Sequence, residues 1–289
     1  MQTENTSVSV IIPAYNEARV IGPTIRKILE LYPDYELLVV DDGSTDGTPG
    51  VAREAGARVV KHPYNMGNGA AVKTGIRNAS GDIVVLMDGD GQHAPEDIAR
   101  FVKDIAEYDL VVGARGMDSQ ANVGRGLANW VYNSLASYVS NFKVRDLTSG
   151  FRAFRRETVL QFLSLFPNRF SYPTTSTLSY LRSGLAVKYI PIKAAKRVGK
   201  SKIRIFRDGI RFLLIILRIA TLFSPLKVFI PVSFVFFSLG LSYYVYTFIT
   251  AQRFTNMSAL LLSVSVLIFM MGLISEQITQ LRYDRVRVE

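Results

Sequence analysis

Two carboxylates one residue apart, Asp88 and Asp90, with an amide at Gln92, are the side chains of this sequence best suited to chemistry. Hard oxygen donors of this kind suit Mg²⁺ or Mn²⁺, ions that keep several waters and bridge to substrate phosphates. Gly89 between the carboxylates lets the backbone come close to a ligand. The apolar run Ile83 to Met87 just before them reads as a short buried strand. Ligands of open α/β sheets bind beyond the carboxyl ends of such strands. On an extended segment Asp88 and Asp90 would leave the chain on the same side. Taken alone, Asp-x-Asp after a strand is as often a plain acidic turn, so the rest of the chain has to decide.

The elements that must position these residues alternate in type. Val8–Ile12 reads as a strand, Glu17–Leu31 as a helix with apolar Val20, Ile25, Ile28 and Leu29, and Leu37–Val40 as a second strand. Thr48–Ala55 follows as a short helix, Arg58–Val60 as a brief strand and Gly69–Ala79 as a helix. After Ile83–Met87 come a helix over Pro95–Glu107, with proline in its first turn, and a strand at Leu110–Gly113. This rhythm predicts an α/β domain: a mainly parallel sheet covered by helices on both faces.

Three predicted strand ends carry unusual polar residues, and such ends converge in a fold of this kind. The first is Pro13-Ala14-Tyr15-Asn16-Glu17, the second runs from Asp41 through Asp42 and Gly43 to Thr48, and the third holds Asp88 and Asp90. Asp42 or Asp41 can accept hydrogen bonds from a base or ribose, Tyr15 can pack on a base, and Glu17 can orient a sugar or base edge. Thr45 and Asp46 need do no more than shape a turn and cap a helix. Gly67-Asn68-Gly69 imitates part of a dinucleotide fingerprint, but it does not follow the first strand and lacks the third small residue. It reads instead as a loop entering a helix, with Asn65 and Gly67 shaping the crevice wall.

The chain has 289 residues and a formal net charge of +10, which points to an anionic partner: nucleic acid, a membrane surface or a phosphorylated substrate. It has no cysteine, which excludes disulfides and thiol chemistry. Met1 to Ser7 is polar and does not read as a signal peptide.

The second half changes character. Leu127–Phe142 reads as a packing helix in which Trp130 and Tyr138 face the core, and Thr174–Ser183 as another helix. A strand at Val187–Ile190 is ended by Pro191. Phe206–Leu222 places Arg207, Arg211 and Arg218 opposite Phe212, Leu213, Ile216 and Ile219, the pattern of an amphipathic helix lying in a membrane interface. Val228–Ile249 and Met257–Ser275 hold no charged residue, and each is long enough to span a bilayer. Basic residues flank the outer ends of the pair, while only Arg253 lies in the connection, which places both chain ends in the cytoplasm.

Pro13-Ala-Tyr-Asn-Glu17, Asp41-Asp-Gly-Ser-Thr-Asp-Gly47 and Asp88-Gly-Asp-Gly-Gln-His93 together resemble the family 2 glycosyltransferases of the GT-A (Rossmann-like) nucleotide-sugar-binding fold. Asp146-Leu-Thr-Ser-Gly-Phe-Arg-Ala-Phe-Arg-Arg156 and Arg197-Val-Gly-Lys-Ser-Lys202 are similar to the dolichyl-phosphate mannose synthase branch, whose members make polyprenyl-phosphate sugars. The resemblance runs from about Val8 to Phe206. It implies that Pro13, Tyr15, Glu17, Val40 and Asp42 hold the nucleoside. Asp88, Gly89, Asp90 and Gln92 would hold the diphosphate and an Mg²⁺ or Mn²⁺ ion. Arg197, with Lys196 as its competitor, and Lys202 would close over the donor phosphates, and Arg115 and Arg125 would bind the acceptor phosphate. The implied activity is transfer of a hexose from a nucleotide sugar to a polyprenyl (dolichyl-type) phosphate, inverting and metal-dependent, with GDP-mannose favoured and UDP-glucose the alternative donor. The rival from another class is a membrane-anchored nucleotide-sugar-binding protein without activity. A processive polysaccharide synthase is disfavoured because no Gln-x-x-Arg-Trp motif is present, Trp130 being the only tryptophan.

The expected domains are a glycosyltransferase domain over 1–203, an interface-helix region over 204–226, a transmembrane hairpin over 227–276 and a basic cytoplasmic tail over 277–289. The expected partners are a nucleotide sugar, a polyprenyl phosphate lipid and the membrane, with no nucleic acid, and association of copies through the transmembrane helices is left open.

Overall fold

The computed structural model describes residues 6–115, 123–168, 172–193, 221 and 224–288; for 123–129 and 282–288 it describes the backbone. The interface helix expected at Phe206–Leu222 lies outside the described residues, apart from Thr221. The chain divides into two compact units, one of residues 1–137 and 142–202, the other of residues 138–141 and 203–289.

The first unit is built on a seven-stranded sheet. In chain order its strands are β1 (Val8–Ala14), β2 (Glu36–Asp41), β3 (Arg58–Lys61), β4 (Ile83–Leu86), β5 (Leu110–Arg115), β6 (Arg152–Arg155) and β7 (Val187–Ile192). Their spatial order is β3-β2-β1-β4-β6-β5-β7. All neighbouring pairs are parallel except those made by β6, which runs antiparallel between β4 and β5. The apolar runs of β1, β2 and β4 fill the centre because a strand covered on both faces must be apolar on both. Val10 and Ile12 of β1 join Leu37, Val39, Val85 and Val111 in one core layer. Helix α1 (Ala18–Leu31) adds Ile21, Ile25 and Ile28 to that layer, and α2 (Thr48–Glu54) adds Ala52. On the opposite face α3 (Asn68–Asn78) lies so close that a Cβ on Gly75 would fall 2.3 Å from Ile11 Cγ2. Helix α4 (Ile98–Asp104), entered through a 3₁₀ turn at Pro95–Asp97, buries Phe101 against Phe151. The remaining helices of this unit are α5 (Val123–Ser140, whose last residues belong to the second unit), α6 (Arg156–Phe162) and α7 (Tyr172–Arg182).

This architecture corrects three expectations. Strand β6 and helix α6 have no counterpart in the sequence reading, because Arg-Ala-Phe-Arg does not look like a buried strand. Pro191 does not end β7 but lies inside it; β7 is the edge of the sheet, where a missing N–H costs no ladder bond. Trp130 and Tyr138 do not pack inward: they are 65% and 51% exposed, and Tyr132, Ala136 and Val139 form the buried side of α5.

In the second unit, α8 (Pro225–Ala251) and α9 (Asn256–Val288) pack against each other as an antiparallel hairpin. Close approach is made by small residues: a Cβ on Gly272 would meet Phe229 Cβ at 2.7 Å, and Ser233 donates to the Ser265 carbonyl at 2.8 Å. The apolar side chains around the hairpin mostly point outward, and both Pro225–Ala251 and Asn256–Leu281 are long and apolar enough to cross a membrane. Within this unit Lys227 Nζ grips the end of α5, donating to the carbonyls of Tyr138 and Val139 and to Asn141 Oδ1.

Candidate active site

Strand β1 has β2 on one side and β4 on the other, so the chain leaves it in one direction and returns in the other. Such a reversal opens a crevice at the carboxyl ends of the strands. The loops after β1, β2 and β4 meet there, and each is braced by its neighbours.

The loops after β1 and β2 are laced together. Asn16 stands in the left-handed region at φ 59°, accepts from the Thr45 N–H at 2.9 Å, and its own N–H donates to Ser44 Oγ at 2.9 Å. Asp46 accepts from the backbone N–H groups of Ala18 and Thr48, both at 3.1 Å, so it ties the start of α1 to the start of α2. Pro13 and Val40 are register partners across β1 and β2, and both are buried. Tyr15 is 40% exposed, a ring available to a flat ligand, and Glu17 is half-buried at the start of α1.

The two aspartates after β2 do different work. Asp42 is buried and saturated: Oδ1 faces His62 Nδ1 and the Met66 N–H, both at 2.8 Å, while Oδ2 takes the Gly67 N–H at 2.8 Å. It therefore pins the 62–67 loop as the crevice wall, the position expected of Asn65 and Gly67. Asp41 is buried as well; Oδ1 accepts from the Ser44 N–H at 3.2 Å, and Oδ2 has no hydrogen-bond partner among the described residues. Gly43 is required here, since a Cβ would fall 2.5 Å from the Tyr64 carbonyl carbon. The Gly-Asn-Gly segment is likewise steric in origin: a Cβ on Gly69 would strike the Pro167 carbonyl oxygen at 2.0 Å.

After β4 the chain makes a turn at Gly89–Asp90 in place of the extended segment expected. Asp88, Asp90 and Gln92 are half-buried, and Gly89 is buried against Ile12 and Pro13. Asp88 rests between two walls. His93 Nε2 lies 3.3 Å from its Oδ2, with the imidazole tilted over Phe151. The second is Gly150, where a Cβ would stand 2.4 Å from Asp88 Oδ2. Two carboxylates and an amide, all oxygen donors and all partly open to the crevice, fit a hard divalent cation. Among the described residues no three His, Asp or Glu side chains cluster to cage an ion alone. Such a cation would take its remaining ligands from water and substrate phosphate.

Arg115, at the end of β5, is the fixed cation of this region. Its Nε and Nη2 form a two-pronged pair with Asp146 at 2.8 and 3.0 Å, and Nη2 also donates to Thr148 Oγ1 at 2.7 Å. Nothing among the described residues accepts from Nη1. Burial alone would loosen its proton, but Asp146, then Asp88 and Asp90, hold it more firmly than in free arginine. Asp146 is the reciprocal case: burial would raise its pKa, and the Arg115 guanidinium brings it below the ordinary carboxylate value.

The crevice thus gathers Pro13, Tyr15, Glu17, Val40, Asp42, Asp88, Gly89, Asp90, Gln92 and Arg115. Arg125 lies on α5, with a side chain outside the described residues, and Lys196, Arg197 and Lys202 are outside them altogether. Sequence reasoning gave no role to three structural participants, His93, Asp146 and Arg152. The signal was present for the first, a histidine one residue beyond the oxygen donors.

The chain is similar to known proteins. The description of glycosyl transferase family 2 matches residues 9–162, and that of the GtrB C-terminal hairpin matches residues 224–281. Glycosyltransferase AglJ of Haloferax volcanii is 29% identical over 97% of this chain and 96% of its own. The undecaprenyl-phosphate mannosyltransferase of Micrococcus luteus is 28% identical over 68% of this chain and 86% of its own. Among solved structures, glucosyl-3-phosphoglycerate synthase of Mycobacterium tuberculosis, in complex with Mn²⁺, UDP and glucosyl-3-phosphoglycerate, superposes with a TM-score of 0.59. It is 26% identical, over 73% of this chain and 80% of that one.

Proposed function

The chain belongs to glycosyl transferase family 2, and from that premise we propose that it transfers a hexose from a nucleotide sugar to a polyprenyl phosphate at the cytoplasmic face of a membrane. The observation that carries this reading is the pairing, in one crevice, of the oxygen donors Asp88, Asp90 and Gln92 with the half-buried cation Arg115, in a chain that also holds an apolar hairpin.

The division of labour follows from charge. Tyr15 and Glu17 border the nucleoside, with Pro13 and Val40 beneath it, and Asp42 acts by holding the 62–67 wall in place. Asp88, Asp90 and Gln92 would hold Mg²⁺ or Mn²⁺, which when bound offsets the charge of the departing diphosphate. Arg197 and Lys202 are assigned to the donor phosphates. Arg115, through Nη1, and Arg125 grip the acceptor phosphate. A phosphate monoester has its second pKa at about 6 and is already an anionic nucleophile at neutral pH. The site therefore needs cations to place the acceptor more than a base to deprotonate it. One displacement, with the acceptor oxygen attacking opposite the leaving diphosphate, inverts the anomeric carbon and gives a β-linked product from an α-linked donor.

GDP-mannose is the first donor reading, supported by the mannosyltransferase among the relatives. UDP-glucose is the second, supported by the UDP held in the similar solved structure. Incubating the purified protein with polyprenyl phosphate and each donor in turn decides between them. We expect a chelator-sensitive lipid-linked hexose of inverted configuration from one of the two. No transfer from either by well-folded protein would favour an inactive binding protein, and an α-linked product would rule out the single displacement.

A further inference from the structure

We propose that Arg152 is a positioning residue for the reaction: it holds the Ser149–Gly150 backbone against Asp88 and thereby fixes the carboxylate that receives the metal. The inference rests on the assignment of Asp88 as an oxygen ligand.

Arg152 is the first residue of β6 and is fully buried. Its Nε donates to the Ser149 carbonyl at 2.7 Å, and Nη1 donates to Ser176 Oγ at 2.8 Å and Thr177 Oγ1 at 2.9 Å. Nη2 points to the Leu147 carbonyl at 3.5 Å. All of these acceptors are neutral, and among the described residues no carboxylate forms an ion pair with the guanidinium; Asp146 and Asp88 act on it only at longer range. A buried cation without an ionic partner is a burden on folding, and an apolar side chain of similar volume would fill the same space more stably. Its presence calls for a task beyond packing.

The task is visible in what surrounds it. Helix α7 turns a row of small hydroxyls inward: Thr174, Ser176 and Thr177 are all buried. Ser176 and Thr177 each give their own proton to the Pro173 carbonyl, which leaves their lone pairs to Arg152. The loop from Asp146 to Gly150 is then gripped from behind, carbonyl by carbonyl. Arg152 takes Ser149, Thr174 Oγ1 approaches Leu147 at 3.5 Å, and the Tyr172 hydroxyl approaches Gly150 at 3.5 Å. In front, the same loop carries Asp146, which fixes Arg115, and Gly150, which touches Asp88 with no room for a Cβ. A shift of this backbone by a fraction of an ångström would move or release Asp88. The planar fork of arginine reaches a carbonyl and two hydroxyls together, which the single ammonium of lysine does not.

The test uses the full chain and reads Mn²⁺ affinity without donor, by titrating the signal of free Mn²⁺, beside kcat, donor KM and thermal stability. Arg152→Lys keeps the charge but loses the fork, so we expect Mn²⁺ affinity and kcat each to fall by roughly 10- to 100-fold, the usual effect of disturbing groups that orient metal ligands. Gly150→Ala, which presses on Asp88 directly, should give the same pattern. If Arg152→Lys does not fold, the Ser176→Ala, Thr177→Val double variant removes the hydroxyl acceptors and leaves the cation, and it should show the same loss in weaker form. Wild-type Mn²⁺ affinity in a folded Arg152→Lys, or in the double variant, overturns the proposal, as does a lowered melting temperature with kcat and Mn²⁺ affinity intact. Wild-type protein that binds no Mn²⁺ even with a nucleoside diphosphate present would instead sink the metal assignment itself, and this inference with it.

Discussion

At the residue scale, the site is a contest between carboxylates that hold ligands and carboxylates that hold the protein. Asp90 belongs to the first kind, half-buried in a turn and open to the crevice. Asp90→Ala should abolish transfer, and excess chelator should do the same to the wild type; normal turnover in either case would remove the metal from the reading. Arg115 stands between the two kinds, with Nε and Nη2 spent on Asp146 and Nη1 without an acceptor among the described residues. A hydrogen bond to a charged group contributes about 1.5–3 kcal/mol. Arg115→Ala should therefore raise the acceptor KM by roughly 10- to 100-fold and leave donor binding nearly unchanged. An unaltered acceptor KM and kcat would exclude this residue from the mechanism. Asp146 is of the second kind, and its effect is readable in pH. Its carboxyl titrates below the ordinary value in the folded state, so its contribution is complete above the unfolded pKa of about 3.9 and is lost as pH falls through the lower, folded one. Asp146→Asn should be much less stable than wild type near neutral pH, and the gap should narrow under acid conditions below about pH 3. Urea midpoints showing an equal gap at both pH values would mean that the ion pair with Arg115 contributes nothing.

At the element scale, the parallel half of the sheet was legible because continuous apolar runs ended in polar motifs that had no reason to be there otherwise. Strands β1, β2 and β4 and their loops could be placed from residue order alone. Strand β6 could not, because its burial depends on partners far away in sequence: Arg152 is tolerated only because α7 brings hydroxyls to it. The outward turn of Trp130 and Tyr138 was hidden for a related reason, since helical spacing shows that faces exist but not which one meets the sheet. The glycines were the least legible of all. Gly75 looks like a weak helix residue, yet α3 can lie on β1 only because nothing projects there. Alanine would gain about 1 kcal/mol in helix propensity. Its methyl would stand 2.3 Å from Ile11 Cγ2, a side chain with no room to retreat, and overpacking of that kind costs about 1–3 kcal/mol. The second effect should win, so Gly75→Ala should lower the melting temperature of the first unit; a rise would show that α3 shifts freely on the sheet.

At the scale of the whole molecule, the question is on which side of a membrane each part of the chain lies. The charges give the answer proposed above. Lys227 stands at the start of α8, and Arg282, Arg285 and Arg287 crowd the end of α9, whereas the turn between the helices carries Arg253 alone. Basic residues stay on the cytoplasmic side of short membrane segments. On the proposed reading, two crossings would return the chain to the side it left, which would keep a soluble nucleotide sugar within reach of the crevice while the lipid acceptor stays in the membrane. The absence of cysteine makes this directly measurable, since any introduced thiol is the only one. Glu54 on α2, Ala251 at the end of α8 and Gln280 near the end of α9 are all exposed and are suitable sites. In intact cells a membrane-impermeant maleimide should label Ala251→Cys, and it should reach Glu54→Cys and Gln280→Cys only after permeabilisation. Labelling of Ala251→Cys and Gln280→Cys from the same side would mean that α9 does not cross. Labelling of Glu54→Cys in intact cells would put the crevice on the wrong side for a cytoplasmic donor.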